Sequence, residues 1–157
     1  MMQTSLKANI SSKLKVFAAA LWWGSLTTLG FFVVPMLFSN LATPAMAGNM
    51  AAKLFAAQTW VSVACGLLLM LLLRPKSTEN TSNLAVAGVN NQYFAIIFVI
   101  LGTLLALIVT FGVSPRIVAR ENLMLWHAVG SGMYLLQWLC AGVVLYKLAP
   151  SGSNKTA

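Results

Sequence analysis

The 157-residue chain contains no aspartate and only two glutamates, Glu79 and Glu121. Acid–base catalysis needs a titratable group held at the reacting atoms, and no pair of carboxylates falls inside any long apolar stretch. Proton- or cation-coupled transport usually rests on an intramembrane carboxylate, and none is present. The ligating inventory is as thin: one histidine, His127, and two cysteines, Cys65 and Cys140. Neither a Cys-x-x-Cys pair nor a glycine-rich phosphate loop occurs. Each cysteine lies within an apolar run, so a disulfide framework is not expected and both read as small apolar filler. With no catalytic residue and no cofactor-binding residue to assign, the chain reads as non-enzymatic.

What the sequence has is hydrophobic length. Apolar residues make up 59% and charged residues 8%, with a mean hydropathy of +0.84. Val16–Phe38, Leu54–Leu73 and Tyr93–Val113 carry no acidic or basic side chain, and Leu123–Tyr146 carries only His127. About 20 apolar residues at ~1.5 Å rise cross a hydrocarbon core of ~30 Å. Backbone groups in lipid must satisfy one another, so each stretch predicts a membrane-spanning helix. The expected fold is an all-α integral membrane bundle of four transmembrane helices. The expected layout is a polar N-terminal tail over 1–13, a transmembrane domain over 14–148 and a disordered C-terminal tail over 149–157.

The net charge of +8 comes from ten basic residues dispersed at the ends of the spans. No continuous basic face forms, which excludes a nucleic-acid partner and leaves the lipid bilayer as the partner. Lys7, Lys13, Lys15, Arg74, Lys76, Lys147 and Lys155 fall on one side, and Lys53, Arg116 and Arg120 on the other. Seven against three predicts cytoplasmic termini in a bacterial inner membrane, and the basic flanks would also meet anionic headgroups. Ala45-Met46-Ala47 after the first apolar run imitates a cleavage site. That run is 23 residues, whereas a signal h-region is about 7–15, so the first helix is expected to be retained.

Between the spans, Ser39–Lys53 reads as a turn followed by a weakly helical interfacial segment, with the second helix diving at Leu54. Arg74–Asn91 is rich in Ser, Thr and Asn and reads as a mobile cytoplasmic loop. A repeat runs through the chain. Phe31-x-x-x-Pro35 recurs as Phe111-x-x-x-Pro115, and Phe55-x-x-Gln58 recurs as Tyr134-x-x-Gln137. Each half would then be one helical hairpin of the same orientation, as in parallel-repeat membrane proteins. Pro35 and Pro115 are expected to kink or end their helices.

Polar side chains in apolar spans are the informative ones: Gln58, Gln137, His127 and Ser131. Each glutamine amide needs a partner on a neighbouring helix, at about 0.6 kcal/mol per bond on average. His127 is expected to face the bundle, bonded to Ser131 or the first connection. Met124 lies three residues before it, and Met36, Met46 and Met50 are placed near the same surface. Thioethers and one imidazole form a candidate soft set for copper, and a lone histidine could be an axial haem ligand. Small residues (Gly24, Gly48, Gly102, Gly130, Gly132, Gly142) predict close helix approach. Trp22 and Trp23 are placed too deep for an aromatic belt and are expected to pack inside.

Leu21-Trp22-Trp23-Gly24, Phe32-Val33-Val34-Pro35-Met36-Leu37-Phe38, Ala47-Gly48 and Lys53-Leu54-Phe55 resemble the bacterial branch of the transmembrane-protein-205-like domain family. Trp126-His127 followed by Ser131, Tyr134 and Gln137 looks like that family's last helix. The resemblance covers roughly 17–146 and implies a four-helix membrane domain whose biochemical activity is not established. The eukaryotic relative is associated with drug resistance and secretion. The first helix also looks like bacterial copper-resistance and haem-pathway membrane proteins, although it carries no histidine. The combined expectation is a permeation or accessory component. The alternatives are a copper- or haem-binding redox or resistance protein built on His127, and a structural subunit bound to another membrane protein or to a second copy.

Overall fold

A computed structural model describes residues 2–74, 83–119 and 122–149. Four helical spans account for these residues, and no strand occurs among them. The first span joins α1 (Met2–Thr28), a π-helical turn (Leu29–Val33) and α2 (Val34–Asn40). The second is the single helix α3 (Pro44–Leu72). The third joins α4 (Asn83–Ile108), a second π turn (Val109–Val113) and α5 (Ser114–Val118), and the fourth is α6 (Leu123–Leu148). Each is long and apolar enough to cross a membrane, with mean hydropathy between 1.6 and 2.9 over its most apolar window. The chain is thus a four-helix, multi-pass membrane protein.

Consecutive spans pack against each other, and the fourth closes the ring on the first. The bundle has two distinct ends. The terminal end holds the start of α1, the end of α3, the start of α4 and the end of α6. The hairpin end holds the two short connections.

The hydrophobic core lies toward the terminal end. Ala18, Ala19, Trp22 and Leu26 of α1 meet Cys65, Leu69 and Leu73, Ala95 and Val99, and Ala141 and Val144. These positions recur three or four residues apart, the spacing that puts side chains on one helix face. Lipid is as apolar as this core, so close packing drives association here. A side chain at Gly102 would meet the Trp22 ring at 2.8 Å, so that glycine is what admits the fully buried indole. Gly24, Gly48 and Gly132 have open space beside them and mark no helix approach. Phe17, Phe32, Trp60, Phe94, Ile97, Phe111 and Leu139 are exposed, as a lipid-facing girdle requires.

Three boundaries differ from the sequence reading. The helix of the first span already begins at Met2, inside the segment expected to be a polar tail. The second helix starts at Pro44, not Leu54. Pro44 supplies a preset first turn, and the Thr43 hydroxyl accepts the Met46 N–H at 3.3 Å, so capping overrides the weak propensity of 45–53. The third begins at Asn83, within the stretch expected to be a loop. The remainder of that loop and the C-terminal tail from 150 lie outside the described residues, as do Glu79 and Glu121.

Both π turns precede a proline. Val34 N–H bonds to the Leu29 carbonyl and Ser114 N–H to the Val109 carbonyl, each five residues back. A proline one residue later has no N–H and would press on the carbonyl four residues before it. Widening the turn relieves that crowding and lets the helix continue to Asn40 and to Val118. The two π turns stand 80 residues apart, the offset of the Phe-x-x-x-Pro repeat. They give the sequence repeat a backbone counterpart.

Candidate functional site

A belt of side-chain hydrogen bonds crosses the bundle between the core and the hairpin end. The Gln58 amide nitrogen donates to Ser25 Oγ at 2.9 Å, joining the second span to the first. The Gln137 amide nitrogen donates to Ser62 Oγ at 3.0 Å, joining the fourth to the second. Thr59 and Thr110 meet at 2.6 Å between the second and third. Trp138 Nε1 donates to Thr27 Oγ1, and the Tyr134 hydroxyl to the Leu26 carbonyl, both at 2.8 Å, joining the fourth to the first. Two repeated glutamines therefore fasten helices, as their burial in an apolar span demands.

Directly toward the hairpin end lies a cavity of about 490 Å³. All four spans line it, and both π turns contribute: Gly30 and Phe31 from the first, Val109, Thr110 and Val113 from the second. Beyond the belt, α2 packs mainly on α3, and α5 with its π turn mainly on α6. The two hairpins thus spread apart and leave the space between them. Its walls are chiefly apolar, with Thr110, Ser114, His127, Ser131 and Tyr134 as the polar lining groups. Among the described residues no acidic or basic side chain of Asp, Glu, Lys or Arg lines it. Several lining residues are exposed, Phe31 and Phe38 among them, so the cavity opens to the surroundings. It forms a vestibule at the hairpin end.

Phe55 and Tyr134 form the vestibule floor. Their rings meet edge to face with centroids 5.2 Å apart. Gly30 makes this possible, since a side chain there would meet the Tyr134 ring at 2.6 Å. Under the pair is a small chamber of about 10 Å³, close to the room one water needs, lined by Gln58, Thr59, Ala106 and Gln137 together with Phe55, Val109 and Tyr134. The repeated aromatic-x-x-Gln motif therefore builds the same two layers from each half: ring above, amide below.

His127 lines the vestibule near its mouth and is exposed. It makes no hydrogen bond to Ser131 or to the first connection among the described residues. One turn from the end of α6, its imidazole can be satisfied by solvent at the interface, so a protein partner is not required. Ser131 also lines the vestibule. Met124 is 85% exposed, and neither it nor Met36, Met46 and Met50 lines the cavity with His127. Pro35 and Pro115 are exposed, each just past its π turn. Cys65 and Cys140 are free thiols buried in the bundle. Arg116 lies 4.5 Å over the Trp126 ring, clasping α5 to α6 at the hairpin end.

Sequence reading missed Ser25, Ser62, Thr27, Thr59, Thr110 and Gly30. Serine and threonine are ordinary in spans, and Gly30 matters only through a tyrosine on another helix. The glycine of the Gly30-Phe31-Phe32 run just before Val-Val-Pro was the one local signal.

No curated protein and no solved structure matches the chain. A family model described as a domain of unknown function, DUF4149, matches residues 17–125, the first three spans and the start of the fourth. It gives no support to the transmembrane-protein-205-like naming. A match over more than half the chain, through both π turns and most of the vestibule wall, makes this protein a member of the DUF4149 domain family.

Proposed function

We propose that the protein is a non-enzymatic component of a bacterial inner membrane that receives a neutral, largely apolar small molecule in its vestibule, acting in permeation or as an accessory to it. The supporting observation is the vestibule itself. Its volume lies within the ~300–1,000 Å³ typical of small-molecule sites, and its walls are apolar with a few convergent polar groups. A charged guest would lose hydration without an opposite charge among the described lining residues. Seven basic residues against three support cytoplasmic termini, so the vestibule would open on the outer side. The likeness to transmembrane-protein-205-like domains belongs to this proposal, as does assembly with another membrane protein or a second copy. A copper or haem site on His127 has less support, because the candidate thioethers stand outside the cavity the histidine lines.

The test is native mass spectrometry of the full chain released from lipid nanodiscs. The wild-type protein should retain a bound non-protein mass that Ala52→Trp, which fills the vestibule wall, lacks. Equal spectra for the two proteins would overturn the reading.

A further inference from the structure

The hydrogen bonds around the chamber have a direction, and the direction limits what can bind there. Ser25 has one hydroxyl proton and donates it to the Trp22 carbonyl at 2.9 Å. Ser62 donates its proton to the Gln58 backbone carbonyl at 3.0 Å. Each serine can then only accept from a glutamine, so each glutamine must present its NH2 to the serine. This settles the amide orientations from the network. The carbonyl oxygen of each glutamine is turned away from its serine, and no hydrogen bond to either oxygen is found among the described residues. Gln137 is 97% buried by its 3% exposure, and both glutamines line the chamber. Thr59 donates to the Phe55 carbonyl at 3.1 Å, so it accepts from Thr110. The Tyr134 proton is held by the Leu26 carbonyl. Every hydroxyl around the chamber has committed its proton elsewhere, and what remains are acceptors.

We infer that the chamber under Phe55 and Tyr134 is a second binding site, for the hydrogen-bond-donating head of a neutral amphiphile whose apolar body lies in the vestibule. This rests on the vestibule being a ligand site. Both glutamines line this small, water-poor space and neither amide oxygen has a hydrogen bond among the described residues, which selects a hydroxyl or N–H donor, because an amide oxygen left without a partner away from bulk water is costly. Cations are disfavoured, since neither tier carries an acidic side chain among the described residues. Acceptor-only heads, such as ethers and ketones, find nothing to bond. The two spaces share Phe55, Val109 and Tyr134 as walls, so a swing of the Phe55 ring connects them while the Tyr134 proton stays on the Leu26 carbonyl. The repeat supplies one ring and one amide from each hairpin, which gives the site its approximate symmetry.

The experiment uses the full chain in lipid nanodiscs and two probes, 1-decanol and decyl methyl ether, read by the shift in Tm over a concentration series. The decyl chains match, and the ether replaces the hydroxyl proton with a methyl group. Decanol should bind wild type about tenfold tighter than the ether, the scale of one good hydrogen bond in a dry site. In Gln58→Met/Gln137→Met the two probes should become equal, each still shifting Tm. In Ala52→Trp neither should shift it beyond the bilayer background. Where the double variant does not fold, Gln137→Met alone carries the comparison and should lose most of the preference. Equal binding of both probes by wild type overturns this site and leaves the vestibule intact, as does a decanol preference that survives loss of the amides. Wild type behaving like Ala52→Trp with both probes overturns the vestibule reading itself.

Discussion

Ser25 and Ser62 each carry a single proton, and both give it to a carbonyl of their own helix. That makes them acceptors for glutamines of other helices. Ser62→Ala should therefore free the Gln137 amide and cost about 1 kcal/mol, read by reversible unfolding in mixed micelles. Ser62→Val, which also crowds the fully buried site, should cost more. Glycines separate in the same way. Gly30→Ala drives a methyl against the Tyr134 ring and should lower stability by about 1–3 kcal/mol. Gly48→Ala meets open space and should be neutral or stabilising by under about 1 kcal/mol. Equal effects of the two alanines would show that the notch at Gly30 does not seat the ring. Gln58 and Gln137 were legible in the sequence because an amide in an apolar span must be bonded. Their serine partners were not, because a serine bonding its own helix and one accepting from another look identical along the chain. Reading His127 as protein-bonded failed because distance from the helix end, not side-chain type, decides whether solvent reaches it.

The spans themselves were plain from hydropathy, since a continuous apolar stretch of 20 or more residues can satisfy its backbone within itself only as a helix. The prolines promised a kink. The structure answers with a π turn, which only local hydrogen bonding distinguishes from a bend. A π turn is equivalent to one residue inserted into an α-helix. Removing that residue together with its cause should restore an unbroken α-helix without turning the flanks. Deletion of Phe32, which faces lipid, combined with Pro35→Ala should thus leave the protein folded. Deletion of Val63 within α3 has no π turn to absorb it. It should rotate everything beyond by about 100° and prevent folding. Folded yield by size-exclusion chromatography separates these outcomes, and failure of both deletions would mean that the wide turn is needed in its own right. Loss of the π turn should also reshape the vestibule wall at Gly30 and Phe31.

At the scale of the molecule the two ends differ. The terminal end is close-packed around Trp22, Leu26, Leu69 and Val99, and the hairpin end is opened by the vestibule. Amide hydrogen exchange in nanodiscs should be slowest around Leu69 and Val99 and faster in α2 and α5, since local opening follows local packing. Reporter fusions should place Thr43 and Ala119 on one side of the membrane and Arg74 on the other. A common side for all three would contradict four crossings.

The bond from Tyr134 to the Leu26 carbonyl joins residues 108 apart in the chain. It ties a ring in the vestibule floor to the main chain of the first span. Any guest that turns the ring must release that carbonyl, and its stretching vibration would rise in frequency as the hydrogen bond is lost. With 13C placed at Leu26 alone, infrared difference spectroscopy would isolate this one oscillator from the rest of the amide band. One backbone bond would then serve as an optical gauge of whether the floor is closed, without a fluorophore and without knowing what the guest is.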